Sequence, residues 1–235
     1  MINKKKILAV ILARGGSKRI PGKNLIKVNG NPLLYYTFES SKNSKYIDEV
    51  ILSSDDIKII EYSKKNSIRT IKRPNSISKD DSTSISAILH ILENIKEEYD
   101  EIILLQPTSP LRTSADIDNA IEYYYKIKAS SVISVCKIDY HPEHINELPV
   151  NNSMKNFLAD DNSEKITQKL KAYYKINGAI YITNLAKLKS KESLFLKENS
   201  YAYIMDSKKS IDIDTFDDLR YAEYLIKSNV SQNNS

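Results

Sequence analysis

A single cysteine, Cys136, is all the thiol chemistry this sequence holds. That excludes an internal disulfide, offers no thiolate pattern for a structural metal, and suits a reducing compartment. Histidine is nearly as scarce. Of the three, His90 lies on the flank of a helical apolar stripe, and His141 and His144 stand too isolated to build a zinc site. No apolar run approaches the roughly eighteen residues needed to span a membrane. The run Ile7 to Ala13 after Lys4-Lys5-Lys6 imitates a secretory signal, but it leads directly into Arg14, Lys18 and Arg19, a poor exit for a cleaved leader. A buried first strand and a cytoplasmic location are the expectation. A concentrated basic stripe is also missing: the formal charge is +5, yet lysine and arginine are scattered among 30 acidic residues, so no nucleic-acid partner is expected. A modest positive balance suits an enzyme with anionic substrates.

What is present describes one folded unit. The 235 residues, 41% apolar and 28% charged, suffice for one sizeable core with a small appended lobe. Short runs rich in Ile, Val and Leu alternate with amphipathic stretches, the pattern of an α/β fold with a mostly parallel sheet. Strands are expected at Ile7 to Leu12, Glu49 to Ser53, Ile68 to Lys72, Ile102 to Leu105 and Ser131 to Val135. One helix should start near Asp81 or Ser82 and carry Ile85, Ile88, Leu89, Leu92 and Ile95 on one stripe. The last should be capped by Thr215, with Asp218 three residues on, and bury Phe216, Leu219, Ala222 and Ile226. Residues 139–175 are polar, with two prolines, and read as an insertion, leaving 1–138 and 176–229 as a single Rossmann-like domain. Residues 230–235 read as a disordered tail.

The chemistry gathers after the first strand. The segment from Ala13 to Asn24 joins Gly15, Gly16 and Gly22 to Arg14, Lys18, Arg19 and Lys23. Glycines let backbone N–H groups turn toward a phosphate, and the cations neutralise its charge. The spacing matches neither the P-loop nor the dinucleotide fingerprint. A surface turn with solvated lysines would be the bland reading, but open α/β sheets bind ligands at the carboxyl ends of their strands, where this segment lies. Farther on, Asp212 and Asp214 are two apart, which on an extended segment aims both carboxylates to one side. Such hard oxygen ligands suit Mg2+; a solvated acidic turn or an N-cap at Asp214 is the alternative.

The segment Ala13-Arg14-Gly15-Gly16-Ser17-Lys18, followed by Lys23-Asn24, resembles the nucleotide loop of the CMP-sialic acid synthetases, also called acylneuraminate cytidylyltransferases. The likeness continues through Ser53-Ser54-Asp55, Arg73-Pro74, the run Gln106 to Arg112, Asn177-Gly178-Ala179-Ile180-Tyr181 and Asp212-Ile213-Asp214. It implies an Mg2+-dependent nucleotidyltransferase that takes CTP and an acidic nine-carbon sugar. In it Arg14, Lys18 and Lys23 grip the triphosphate with Gly15, Ser17 and Asn24 close by. Arg73 and Ser84 lie near the cytidine, although Ser84 is by sequence also an ordinary helix-start serine. Asp212 and Asp214 hold the metal, and Gln106, Gln168, Asn177 and Tyr181 face the sugar. The resemblance further implies a homodimer in which residues 139–175 form a dimerisation and sugar-binding lobe.

Within that lobe the chain departs from the family. Thr167 stands where an arginine holds the sugar carboxylate, Lys171 replaces a proline, and His144 replaces a lysine. Lys169, Lys171 or Lys175 are available to restore the charge. These changes leave the CTP chemistry intact and open the sugar to nonulosonic acids of the legionaminic type as well as N-acetylneuraminate. A related nucleotidyltransferase acting on the eight-carbon acid Kdo, or a catalytically silent nucleotide-binding homologue, are the competing readings.

Overall fold

A computed structural model describes residues 2, 4–140, 142–158 and 171–232. In chain order the elements are β1 (Ile7–Leu12), β2 (Lys27–Val28), β3 (Asn31–Pro32), α1 (Leu33–Lys42), β4 (Glu49–Ser54), α2 (Ile57–Lys65), β5 (Arg69–Lys72), α3 (Ser84–Glu93), β6 (Glu101–Leu105), α4 (Ser114–Lys126), β7 (Ser131–Lys137), β8 (Tyr174–Asn184), α5 (Leu185–Lys191), β9 (Ser200–Met205) and α6 (Phe216–Gln232). Seven strands form one sheet in the order β5-β4-β1-β6-β8-β7-β9, and β2 and β3 form a separate two-stranded pair. β1 pairs in parallel with both β4 and β6, so the chain first builds outward to β5 and then returns to the other side of β1. This reversal opens a crevice beyond the carboxyl end of β1, where an open sheet receives ligands. Two strands of this sheet are missing from the sequence reading: β8, antiparallel to both β6 and β7, and β9, which resumes a parallel pairing with β7.

The strands are apolar on both faces because both are covered. Ile7, Ala9 and Ile11 point to a cluster completed by Leu34 and Phe38 of α1, Ile59 of α2 and Ile117, Ala120 and Ile121 of α4. Leu8 and Val10 point the other way, to Ile88 and Ile91 of α3 and Leu185 and Leu188 of α5. A third, smaller cluster packs Ala222 of α6 against Ile20, Val28, Leu33 and Ile213.

Several boundaries differ from the sequence reading. α3 begins at Ser84, because Thr83 accepts the N–H of Ser86 and caps it. Thr215 and Asp218 form the expected reciprocal cap of α6. Phe216, expected in the core, is 50% exposed, since the first turn of α6 runs outside the packed face. α6 also continues to Gln232, past the expected start of the tail at 230, with Ser228 Oγ donating back to Tyr224 O. Residues 233–235 lie outside the described residues. The insertion is an excursion between paired strand ends: Lys137 of β7 stands opposite Tyr174 of β8. Within it Asn146 Nδ2 donates to the carbonyls of Asn156 and Phe157.

Candidate active site

The loop after β1 and the loops after β5 and β6 converge on a cleft of about 490 Å3. Arg14, Ser17, Lys18, Lys23 and Asn24 line it from one side, Asp80 and Ser84 from another, and Gln106 and Thr108 from beneath. The geometry of the loop follows from crowding. A Cβ on Gly15 would lie 2.7 Å from Asp56 Oδ2 and 2.8 Å from Asp56 Cβ, so only glycine passes over the start of α2. Its N–H donates to Asp55 Oδ1 at 3.1 Å. Asn24 is buried and donates to Arg14 O at 2.9 Å, which fixes the backbone that carries the arginine. Asn24 is thus a brace for the loop as well as a lining residue.

The cations are paired in two groups. Arg14 and Lys18 both meet Asp80, at 2.7 and 2.5 Å. Arg19 and Lys23 both meet Asp214 Oδ1, at 3.0 and 3.2 Å, and Lys23 Nζ also donates to Ile213 O at 2.7 Å. The contact between Lys23 and Asp214 closes about 190 residues of sequence and brings the start of the chain to its final acidic pair. Asp212 is tied in from below: Ile213 N donates to Thr108 O, and a Cβ on Gly178, whose φ is +76°, would lie 2.7 Å from Gln106 Oε1 and 3.8 Å from Asp212 Oδ2. Burial pushes the Asp212 carboxyl above its ordinary range; a hydrogen bond from Thr108 opposes this and the nearby Asp214 adds to it. Tyr181, half-buried on β8, has its hydroxyl pushed up by burial and then by Asp212.

Other expected residues sit elsewhere. Arg73 is not among the residues lining the cleft; it is buried under the loop, with NH2 3.9 Å from Asp55 Oδ1. Burial lowers its pKa, Asp55 opposes that, and Nε and NH2 have no hydrogen-bond partner. Asn177, expected at the sugar, is 2% exposed, and its amide is used inside the protein: Oδ1 accepts from Ser134 Oγ and Ala179 N, and Nδ2 donates to Ser210 Oγ. It is a tie between β7, β8 and the segment before α6, because its side chain points into the sheet's packed face. Gln168 and Thr167 lie outside the described residues. Asp80 was missed by sequence reading, since its partners are more than sixty positions away and Asp80-Asp81-Ser82 looks like an ordinary helix start.

Two hard carboxylates beside a cationic cleft fit Mg2+, which commonly takes one or two protein carboxylates and completes its shell with phosphate oxygens and water. Among the described residues no group of three or more His, Cys, Asp or Glu is placed to hold a metal by itself. No helix among them is long and apolar enough to cross a membrane.

The model of the cytidylyltransferase family matches residues 8–234, nearly the whole chain. The chain belongs to the cytidylyltransferase family. It is 32% identical over 228 residues to a pseudaminic acid cytidylyltransferase of Campylobacter jejuni subsp. jejuni serotype O:23/36 (strain 81-176), covering 95% of this chain and 97% of that one. It is 30% identical over 234 residues to the CMP-N,N'-diacetyllegionaminic acid synthase of Legionella pneumophila subsp. pneumophila (strain Philadelphia 1), covering 95% and 97%. An N-acylneuraminate cytidylyltransferase of Streptococcus agalactiae serotype V is 32% identical over 215 residues, which cover 91% of this chain and 51% of that longer protein. Among solved structures, a CMP:2-keto-3-deoxy-manno-octonic acid synthetase complexed with CTP superposes with a TM-score of 0.72 over 95% of this chain and 99% of that one, at 18% identity. At that identity the likeness establishes the nucleotidyltransferase fold. The cleft lies at the crevice where the order of strands reverses.

Proposed function

We propose that this cytidylyltransferase transfers CMP from CTP to the anomeric hydroxyl of a nonulosonic acid and releases pyrophosphate. The observation that carries the reading is that Lys23, which lines the cleft together with Arg14 and Lys18, is ion-paired with Asp214 of the final acidic pair. The sugar hydroxyl attacks the α-phosphorus of CTP, and the bond to the β-phosphate oxygen breaks. Arg14, Lys18 and Lys23 neutralise the triphosphate and the departing pyrophosphate, while the loop braced by Asn24 holds them in place. Asp212 and Asp214 would hold Mg2+, which when bound supplies charge neutralisation at the phosphates. Gln106, which lines the cleft, and Tyr181, near Asp212, are assigned to the sugar. Among the described residues no histidine lines the cleft to act as base.

The relatives act on pseudaminic, legionaminic and N-acylneuraminic acids by name, so the resemblance reaches the nine-carbon acids as a class. Thr167, His144 and Lys171 in place of the usual family residues fit a nonulosonic acid of the legionaminic type as well as N-acetylneuraminate. A homodimer is also proposed. It is supported by a stripe in which Ile176, Val135 and Ile204 stand in register across β8, β7 and β9 with Ile176 and Ile204 49% and 59% exposed.

Purified protein incubated with Mg2+, each NTP in turn and a panel of N-acetylneuraminate, legionaminic and pseudaminic acids and Kdo tests the reaction by pyrophosphate release. CTP with a nine-carbon acid should be the productive pair. Turnover with Kdo alone would transfer the chain to the eight-carbon branch. Silence with every pair would leave a binding protein.

A further inference from the structure

The carboxylate of Asp80 lines the cleft but has no part in the transfer reaction. It stands across from the phosphate loop and meets two of its cations with one oxygen each, Oδ1 to Arg14 NH1 at 2.7 Å and Oδ2 to Lys18 Nζ at 2.5 Å. Its position is built. Residues 79–82 form a tight turn in which Ser82 N–H donates to Lys79 O at 3.2 Å and Lys79 N–H donates to Ser82 Oγ at 3.0 Å. That turn ends at the cap of α3, so the carboxylate is presented from the wall that also carries Ser84. The second group of cations, Arg19 and Lys23, shares Asp214, whose presence is explained by its pairing with Asp212. Asp80 is given no corresponding metal role in the site.

We propose that Asp80 is an intramolecular stand-in for a ligand phosphate, which occupies Arg14 and Lys18 in the unliganded protein and sets the affinity of the cleft for the polyphosphate. The inference rests on the reading that Arg14 and Lys18 hold the phosphates of CTP. A carboxylate with two oxygens, each facing one cation, mimics the charge and spacing of two phosphate oxygens. It keeps both long side chains extended into the cleft, and it must be displaced before a phosphate takes its place. The hydrogen bonds from Lys18 and Arg14 hold its carboxyl below the ordinary range, so it stays ionised throughout the neutral region. Its return to the two cations also favours departure of pyrophosphate after transfer. A residue that merely oriented Arg14 and Lys18 for catalysis would act with the opposite sign on binding.

The test is calorimetric titration of pyrophosphate, in EDTA, into wild type, Asp80→Asn, Asp80→Glu and Lys18→Ala, with thermal unfolding to verify each fold. Asp80→Asn should tighten pyrophosphate by about three- to tenfold, the range expected for releasing one or two solvent-exposed ion pairs. It should lower KM for CTP without raising kcat, and Asp80→Glu should stay near wild type. Unchanged or weaker pyrophosphate binding by folded Asp80→Asn, with Lys18→Ala weakened, would overturn the competition alone. Lys18→Ala binding as tightly as wild type would overturn the phosphate assignment and the proposal with it. Should Asp80→Asn fail to fold, Asp80→Ser is read by the same criteria.

Discussion

Gly15 and Gly178 show how single positions fix the site. Gly15 has no room for a methyl group against Asp56, and Gly178 combines a φ of +76° with the close approach of Gln106 Oε1. A side chain at either would move the residue it meets, Asp56 at the base of the loop or Gln106 at the cleft. Both glycines were visible in the sequence as parts of motifs, but their neighbours were not, since each contact joins segments far apart in the chain. Glu101 is a residue of the opposite kind, a carboxylate at the far end of β6. Burial pushes its pKa up, while hydrogen bonds from Tyr124 and Asn184 pull it down and Asp100 and Lys5 act more weakly in opposite senses. Tyr124, whose hydroxyl donates to Glu101 Oε2 at 2.7 Å, is itself pushed up and stays protonated. Because the folded pKa is raised, the group imposes no penalty below the unfolded value of about 4.3 and costs stability as pH rises through the folded pKa. Glu101→Gln should therefore unfold at the same temperature as wild type near pH 4 and at a higher one at pH 8. A difference that does not grow with pH would refute the assignment.

At the scale of elements, the run Gln106 to Arg112 does more than form a rigid turn. Arg112 is 2% exposed and donates to Gln106 O, Ala179 O, Thr37 Oγ1 and Ser40 Oγ, so it joins α1, the end of β6 and β8. Burial lowers its pKa to about 9, with Asp116 opposing. Arg112→Met removes four buried hydrogen bonds and should cost roughly 3 kcal/mol, or a fall of about 6–12 °C in Tm for a chain of this size. A fall of less than about 2 °C in a thermal melt would show that the tie is dispensable. α6 works on the site in the same indirect way. Asp218 Oδ2 accepts from Asp214 N and Thr215 N, so the helix cap also fixes the backbone of the metal-binding candidate. The cap was legible in the sequence because it is local. β8 was not, because residues 174–178 are polar and exposed at their start and their partners lie on β6 and β7.

For the molecule as a whole, the sheet has two ends with different surfaces. The β5 end is short, while at the β9 end Ile176 and Ile204 expose apolar side chains beside Val135. Light scattering should give twice the 26.9 kDa chain mass, and Ile204→Glu should reduce it to that of one chain with activity changed in parallel or not at all. A wild-type monomer at micromolar concentration would remove the dimer. By itself the sequence determined the α/β alternation, the first strand, the cap of the last helix, and the loop and acidic pair that carry the family, because each depends on local periodicity or adjacent residues. Only the tertiary structure decided that β8 runs antiparallel, that Asn177 and Arg112 face inward, and that Asp80 reaches Arg14 and Lys18. Those outcomes depend on which distant segments are neighbours, and the packing of both sheet faces, not any local pattern, selects them.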